Sequence, residues 1–136
     1  MDPETLARLA ATRAHRDLSD LARQGVGSIS SGPGVGERIE AARRLRVLVN
    51  ELVDLVVLSE ALGGASWEEI TRALRRLGAG TVQAEYEEAV REWRAGPAER
   101  QVAVDDARDL DTWYLRHRED TDPPVEKPAS ELLQRD

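Results

Sequence analysis

The stretch GASWEEITRALRRLGAGTVQAEYEEAVREW, residues 64–93, decides the fold of this chain. Ser66 and Glu69 have the spacing of a capping box, in which each side chain bonds to the backbone N–H of the other residue at a helix start. Apolar residues then follow with the period of an amphipathic helix: Ile70, Ala73, Leu74 and Leu77. The sequence therefore predicts a short helix that begins just after Ser66.

A glycine-containing turn and a second amphipathic helix complete this stretch. Gly78 and Gly80 can adopt positive φ at low cost, and the Thr81 side chain can cap the helix that follows. The face predicted to be buried consists of Val82, Tyr86, Ala89, Val90 and Trp93. Two short amphipathic helices need a third to cover their apolar faces, and residues 45–62 can provide it. We therefore expect a tri-helical helix-turn-helix unit.

The rest of the chain predicts an all-α protein, a helical bundle with four segments. Residues 1–24 are expected to be an N-terminal helix, and the Gly- and Ser-rich residues 25–36 a flexible linker. Residues 37–118 are expected to form the helical domain that contains the helix-turn-helix unit. Residues 119–136 are rich in proline and charge, so we expect an extended or disordered tail in which two adjacent leucines could dock.

The predicted N-terminal helix carries a seam of small and apolar residues with heptad-like spacing. Its members are Ala7, Ala11, Ala14, Leu18 and Leu21. A short seam of this kind can pack on the core of its own chain, or it can form a homodimer with a second copy. The sequence leaves both interpretations open.

The longest predicted helix covers residues 37–62. Its apolar face is formed by Ile39, Ala42, Leu45, Val49, Leu52, Val53 and Val56. Further leucines widen this face, so we expect the second half of the helix to be buried on two sides. The first half carries the densest basic group of the chain: Arg38, Arg43, Arg44 and Arg46. This group is either a solvated face paired with Glu37 and Glu40 or a patch that contacts phosphates.

Composition excludes several classes of function. The chain contains no Cys, which excludes disulfides, thiolate metal sites and cysteine nucleophiles. Neither His15 nor His117 has the i+3 or i+4 partner typical of a metal pair, and the serines of the linker lack the context of a nucleophile. We expect no enzymatic activity and no cofactor. Since no signal peptide and no sufficiently long apolar run are visible, we expect a cytoplasmic protein that does not span membranes.

The charge of the chain bears on nucleic-acid binding. The formal net charge is −7, and the excess of acidic residues lies from residue 81 onward. A free-standing DNA-binding protein usually presents a basic face, because neutralisation of phosphates supplies most of its affinity. The charge therefore weakens the expectation of DNA binding without excluding it, since a local patch is sufficient.

The residues of the predicted unit resemble a known family. Gly-Ala-Ser-Trp-x-x-Ile-x-x-Ala-Leu, followed by a turn and a second helix, is typical of small helix-turn-helix proteins of actinobacteria that are related to the C-terminal DNA-reading region of sigma factors. The matching residues are Gly64, Ala65, Ser66, Trp67, Ile70, Ala73 and Leu74, with Tyr86, Ala89, Val90 and Trp93 after the turn. The resemblance covers roughly residues 45–117. It implies a tri-helical fold in which the helix after the turn reads DNA.

This chain departs from the family pattern at that helix. Family members typically continue with Gly-Val-Ser-Arg-Gln-Ala-Ala, in which Arg can bind phosphate or guanine and Gln can pair with adenine. Here the sequence is RRLGAGTVQAEYEE, which is one residue longer and places Gly80 where Gln is expected. The exposed positions of the helix then include three glutamates, which a phosphate backbone would repel.

Two functions are consistent with these features. The first is a homodimeric, DNA-binding, transcription-associated regulatory protein. Its phosphate contacts would be Arg75, Arg76, Arg43, Arg44 and Arg46, and its base contacts Thr81 and Gln83. The second is a non-enzymatic protein–protein interaction module, in which a degenerate, acidic helix-turn-helix docks a basic partner protein. The docking residues would be Glu85, Glu87 and Glu88.

Overall fold

The computed structural model describes residues 1–32, 34–96 and 99–135, and the regular secondary structure of this part of the chain consists of helices joined by turns and loops. The helices are α1 (Pro3–Gly27), α2 (Val35–Leu62), α3 (Trp67–Ala73), α4 (Ala79–Ala95), α5 (Arg100–His117) and α6 (Pro128–Gln134). The predicted all-α class is therefore confirmed. None of the described helices combines the length and the apolar character that a membrane span requires.

Helices α1 and α2 form a long hairpin that is the framework of the bundle. Asp2 begins α1, because its Oδ1 accepts a hydrogen bond from the Glu4 backbone N–H at 3.2 Å. Helix α1 continues to Gly27 and α2 begins at Val35, so both ends of the predicted linker, residues 25–27 and 35–36, are helical. The three alanines of the α1 seam, Ala7, Ala11 and Ala14, are buried within the chain's own core. They support the interpretation of the seam as internal packing.

The outer surface of α2 differs from its prediction. One stripe of buried or half-buried side chains runs along α2 with spacings of three and four, and Val57, Leu58 and Ala61 are buried beside its C-terminal end. The members of this leucine stripe are Leu45, Leu48, Leu52, Leu55, Ser59 and Leu62. Helix α1 contacts α2 more extensively than any other element does. Ile39, Val49, Val53 and Val56 were expected on a buried face, yet 57%, 42%, 42% and 39% of their surfaces are exposed. That expectation is wrong for these four residues and for Ala42, which is also exposed, because they lie on a different stripe of the helix.

The second half of α2 packs with α3 and α4 around one core. This core contains Val57, Leu58, Ile70, Val82, Tyr86 and Val90, with Trp67, Leu74 and Trp93 packed against it. At the start of α3, the Glu69 N–H donates to Ser66 Oγ at 3.1 Å, and the reciprocal bond to Glu69 is also present. The capping box is therefore confirmed, and the inward-facing residues of the opening stretch lie in or against this core.

The turn between α3 and α4 corrects two details. Leu77 was assigned to the apolar stripe, but α3 ends at Ala73 and 96% of the Leu77 surface is exposed. Thr81 was expected to cap α4, but the helix begins at Ala79, after Gly78 in a left-handed conformation with φ of 86°. The glycine reverses the chain earlier than expected, so Thr81 lies inside the first turn and its side chain caps nothing.

A second core joins both ends of the chain. Helices α5 and α6 pack on α1 through Leu9, Ala103, Ala107, Leu110, Ala129 and Leu133. The expectation of an extended or disordered tail is wrong for residues 128–134, which form α6. The cause is Asp111 of α5, whose Oδ1 accepts a hydrogen bond from the Ala129 N–H at 2.7 Å and so fixes the start of the helix.

Candidate functional site

The α3–α4 turn is the first element of the candidate site. The backbone N–H of Arg75 donates to the Arg72 carbonyl at 3.0 Å, and the N–H of Arg76 donates to the Thr71 carbonyl at 3.1 Å. This pair of bonds is the Schellman motif that ends many helices. The motif requires a left-handed backbone conformation at the residue that makes the shorter-range bond, which is Arg75 here. Arg75 has φ of 57°, and it is the only residue other than glycine with positive φ in the described chain. The turn therefore presents the Arg75 side chain from a strained backbone position.

The Arg76 side chain forms an ion pair with a residue of α4. Its guanidinium contacts the Glu85 carboxylate at 2.5 Å, and the two side chains are 40% and 49% exposed. The hydrogen bond to Glu85 raises the pKa of Arg76. One predicted phosphate contact thus pairs with one predicted partner-binding carboxylate, so each reduces the charge that the other presents. Arg75 makes no ion pair with any residue that the structure describes.

The predicted base contacts do not converge on one surface. Thr81 is exposed and Gln83 is half-buried. Two residues that are two positions apart on an α-helix lie about 160° apart around its axis. These side chains therefore point to nearly opposite sides of α4.

The arginines of α2 lie apart from the turn. Arg43, Arg44 and Arg46 are exposed, and Arg43 pairs with Glu40 at 3.4 Å. Helix α4 meets α2 at Asp54, which is about 12–17 Å further along the α2 axis at the usual rise per residue. The structure therefore does not bring this cluster together with Arg75 and Arg76 into one compact basic patch.

The acidic residues of α4 divide between two sides of the helix. Glu85, Glu88 and Glu92 have spacings of three and four, so they share one exposed strip. Glu87 lies on the other side, at the i+4 position from Gln83. Of the three predicted docking glutamates, the structure therefore places two together and one away from them.

A groove between α2 and α4 borders the acidic strip. It has a volume of about 230 Å³, and it is lined by Asp54, Leu55, Leu58, Glu85, Tyr86 and Ala89. The leucines and Ala89 supply apolar surface, whereas Asp54 and Glu85 place two carboxylates at the edge. Sequence reasoning missed Asp54, although a carboxylate inside an apolar helix is a signal that could have marked it.

Tyr86 holds the Asp54 carboxylate in place. The Tyr86 hydroxyl donates to Asp54 Oδ1 at 2.8 Å, and the tyrosine ring is buried in the core. Burial, followed by the hydrogen bond to Asp54, raises the pKa of Tyr86 to about 12. The hydroxyl therefore stays protonated at neutral pH and remains a donor to the Asp54 carboxylate at the groove.

The shape and charge of this groove fit a long cationic side chain. The methylene stem of an arginine or a lysine can cover the apolar surface while its charged head stays at the carboxylates. Arginine suits the site better than lysine, since a guanidinium can donate to two carboxylates at once.

Other parts of the molecule show less convergent chemistry. Among the described residues, no three His, Asp or Glu side chains are placed to bind a metal ion. A cavity of about 650 Å³ lies between α1, α5 and the segment that leads into α6, and its lining is mostly apolar. His15 lines this cavity, whereas His117 Nδ1 lies 2.8 Å from the Trp113 carbonyl oxygen. The two histidines therefore lie in different surroundings, and they do not form a pair of metal ligands.

Comparisons with models of protein families, with curated proteins and with solved structures found no match to this chain.

Proposed function

We propose that the chain is a non-enzymatic protein-interaction module that binds a basic segment of a partner protein between α2 and α4. The observation that carries this proposal is the Arg76–Glu85 ion pair, which neutralises the nearest cation to the groove internally. The other charges that border the groove and its strip are acidic: Asp54 on α2, and Glu88 and Glu92 on α4. A basic partner complements such a surface, whereas a phosphate backbone is repelled by it.

The proposed binding mode uses the groove as the specific contact and the strip as the attractive field. An arginine of the partner places its stem on Leu55 and Leu58 and its guanidinium between Asp54 and Glu85. Further cations of the partner face the exposed strip that continues along α4. Contacts of the second kind mainly raise the association rate, and they weaken with salt.

We further propose that the α3–α4 unit is a helix-turn-helix related to the actinobacterial, sigma-factor-like proteins. Support comes from the capping box at Ser66, the glycine turn, and the packing of Trp67, Tyr86 and Trp93 against one core. A scaffold of this kind can keep its shape while its outer surface acquires another partner. The acidic strip on the helix that would read DNA is consistent with such a change.

DNA binding is the second candidate function, and one observation favours it. No side chain caps the start of α4. Arg75 precedes the first residue of this helix by four positions, and it has no ion-pair partner among the described residues. Backbone N–H groups at a helix start together with an arginine can hold a phosphate. In this alternative the protein is a homodimer, and its two subunits place two such turns on one DNA site.

A single substitution gives opposite results under the two candidates. Glu85→Gln removes a carboxylate from the groove and releases Arg76 from its ion pair. The interaction proposal expects binding of an arginine-rich peptide, followed by fluorescence anisotropy, to weaken about three- to tenfold. The DNA alternative expects the mobility shift of random or own-promoter DNA to strengthen instead, because one more cation faces the phosphates.

Matched variants control both measurements. Asp54→Asn keeps an acceptor for the Tyr86 hydroxyl while it removes the charge, so it should weaken peptide binding as Glu85→Gln does. Glu87→Gln removes the same charge from the other side of α4 and should leave peptide binding unchanged. Equal loss in Glu87→Gln would show non-specific attraction and contradict the groove. A DNA shift that is lost at higher salt and in Arg75→Ala/Arg76→Ala would support the alternative, and no shift at low salt would reject it.

A further inference from the structure

One stripe of α2 carries three partly exposed valines between two charged residues, and its end at Val56 and Glu60 borders a groove beside α1 and α6. The stripe consists of Arg46, Val49, Val53, Val56 and Glu60, which have spacings of three and four residues. Each member lies one or four positions from a residue of the buried leucine stripe, so this valine stripe is turned about 100° from the leucine stripe around the axis of α2. The three valines are each about two-fifths exposed. Three adjacent exposed valines between two charges form a surface that a partner helix can cover.

The other side of α2 is already occupied. Leu58 and Ala61 pack in the core with α3 and α4, and Asp54 accepts the hydrogen bond from Tyr86. The valine stripe therefore lies on the side of α2 away from the proposed groove. Arg46 and Glu60, at the two ends of the stripe, have no ion-pair partner within residues 1–32, 34–96 and 99–135.

The stripe is complementary to itself when its direction is reversed. In an antiparallel pair of α2 helices related by a twofold axis at Val53, Val49 of one chain faces Val56 of the other. The same arrangement places Arg46 opposite Glu60 of the second copy, and symmetry repeats each contact. We propose that two copies of this chain form a homodimer through the valine stripes of α2. An interface in which the same surface serves both subunits is the usual form of a twofold dimer.

Charge selects this register over the next possible one. The heptad spacing extends backward through Ala42, Ile39 and Val35, so a pairing centred on Arg46 would bury more apolar residues. That register places the Arg46 side chains of the two copies against each other at the axis. Like charges at the centre of an interface are unfavourable, whereas the register centred on Val53 gives two opposite-charge pairs.

The groove beside Glu60 can receive Arg46 of the second copy. Its lining includes Arg8, Glu60, Glu131 and Arg135. Arg8 is already paired with Glu4 at 3.0 Å, so the carboxylates of Glu60 and Glu131 outnumber the one remaining cation. A guanidinium from the second copy therefore meets a net acidic surface there.

The size of the stripe sets the expected strength of the dimer. From residue 46 to residue 60 the helix rises about 21 Å, and the contact face between two helices is at most about one helix diameter, roughly 10 Å, wide. The contact is then on the order of 200 Å² per subunit in projection, well below a standard interface of about 800 Å² per partner. We therefore expect a weak dimer that forms only at high protein concentration. Its position on α2 makes it independent of peptide or DNA binding at α4.

Sedimentation equilibrium of the full chain tests the dimer, with one matched pair of variants. The wild type should approach twice the chain mass of 15.1 kDa as its concentration rises from about 5 to 300 µM. Val53→Asp places two carboxylates at the axis and should raise the dissociation constant at least about 100-fold. Val47→Asp adds the same charge at a valine that is 55% exposed on a different side of α2, and it should leave the dimer intact. A wild type that stays monomeric at 300 µM overturns the proposal.

Charge exchange and cross-linking test the register without a destabilising substitution. Arg46→Glu and Glu60→Arg should each raise the dissociation constant about tenfold, and the double variant should restore it. The chain has no cysteine, so Val53→Cys should give a disulfide-linked dimer on mild oxidation, whereas Arg46→Cys should not. If Arg46→Cys cross-links and Val53→Cys does not, the axis lies at Arg46 and the proposed interface is wrong. Failure of the double variant to restore the dimer contradicts it as well.

Discussion

Two aspartates illustrate how this molecule uses a carboxylate in two different ways. Asp111 of α5 is buried, and it accepts hydrogen bonds from the Ala129 N–H and from both the N–H and the hydroxyl of Ser130. Asp54 of α2 is exposed, and one of its oxygens accepts a single bond from Tyr86. The first carboxylate has its bonding capacity filled by the chain, whereas the second keeps capacity for a partner.

The difference separates structure from binding. A buried carboxylate is tolerated only when several donors surround it, so Asp111 and the start of α6 depend on each other. An exposed carboxylate that is held in one orientation retains most of its interaction with whatever arrives from solvent. We therefore expect substitutions of Asp111 to lower stability, and substitutions at Asp54 to lower binding with little effect on stability.

The largest effect is expected for Asp111→Ala. The substitution removes the cap of α6 and leaves the N–H groups of Ala129 and Ser130 without their acceptor in a closely packed region. The free energy of unfolding should fall by about 2–4 kcal/mol, as measured by urea denaturation followed by circular dichroism. Hydrogen exchange should show loss of protection in α6 first, since that helix has only seven residues.

Asp111→Asn is the matched variant for this prediction. Its amide oxygen can still accept the bond from Ala129, but its NH₂ group faces the Ser130 donors. It should therefore lose an intermediate amount of stability. If Asp111→Ala and the surface substitution Asp109→Ala destabilise equally, the cap is not what holds the tail in place.

The two aspartates also show why the sequence predicts some elements and not others. The start of α3 is predictable because Ser66 and Glu69 are three residues apart and meet within one helical turn. The start of α6 is fixed by a residue 18 positions away. A local pattern carries no information about such a contact. The prediction of an extended or disordered tail therefore rested on proline content and charge alone. Periodicity likewise found α2 but did not choose between its leucine and valine stripes, which only packing distinguishes.

The candidate site divides in the same manner. The outward acidic residues of α4 follow from helical spacing, so the strip at Glu85 and Glu88 was accessible to prediction. The Arg76–Glu85 pair was not, because it depends on the left-handed turn at Arg75 that brings the end of α3 to α4. Tyr86 was correctly assigned to the core. Its hydrogen bond to Asp54, 32 positions away, fixes a carboxylate at the groove, and a local sequence pattern cannot predict a contact over that separation.

A smaller effect is expected for Tyr86→Phe. The ring remains packed, and only the hydroxyl that donates to Asp54 is lost. Because Asp54 can turn to water, stability should fall by about 1 kcal/mol, well below the loss in Asp111→Ala. The pKa of Tyr86 is raised in the folded state to about 12 from 10.0. The contribution of the hydroxyl is therefore fully present below pH 10 and is lost as the pH rises toward 12.

Absorbance at 295 nm follows this ionisation directly. Of the two tyrosines, the one that ionises near pH 12 should disappear from the titration of Tyr86→Phe and remain in that of Tyr114→Phe. A destabilisation as large as that of Asp111→Ala would remove the distinction between the two aspartates, because it would show that Asp54 also serves mainly to hold the fold.

The smallest effect is expected at a third carboxylate, Asp20 of α1, which lies between these extremes. It accepts a bond from Trp113 Nε1 at 2.9 Å and another from Arg23 at 2.9 Å. The Trp113 bond is the main cause that lowers the pKa of Asp20 below 3.8 in the folded state, with Arg23 and His117 acting in the same direction.

A lowered pKa stabilises the fold above pH 3.8, and this contribution is lost as the pH falls through the folded-state value. Asp20→Asn should therefore be slightly less stable than the wild type at pH 7, and the difference in thermal melts should shrink as the pH falls below the ordinary pKa of an aspartate. Trp113→Phe should abolish most of this pH-dependent difference, whatever it does to overall stability, since Asp20 then lacks its principal donor. A difference between wild type and Asp20→Asn that persists unchanged to pH 2 would mean that the Trp113 contact does not depend on the charge of Asp20.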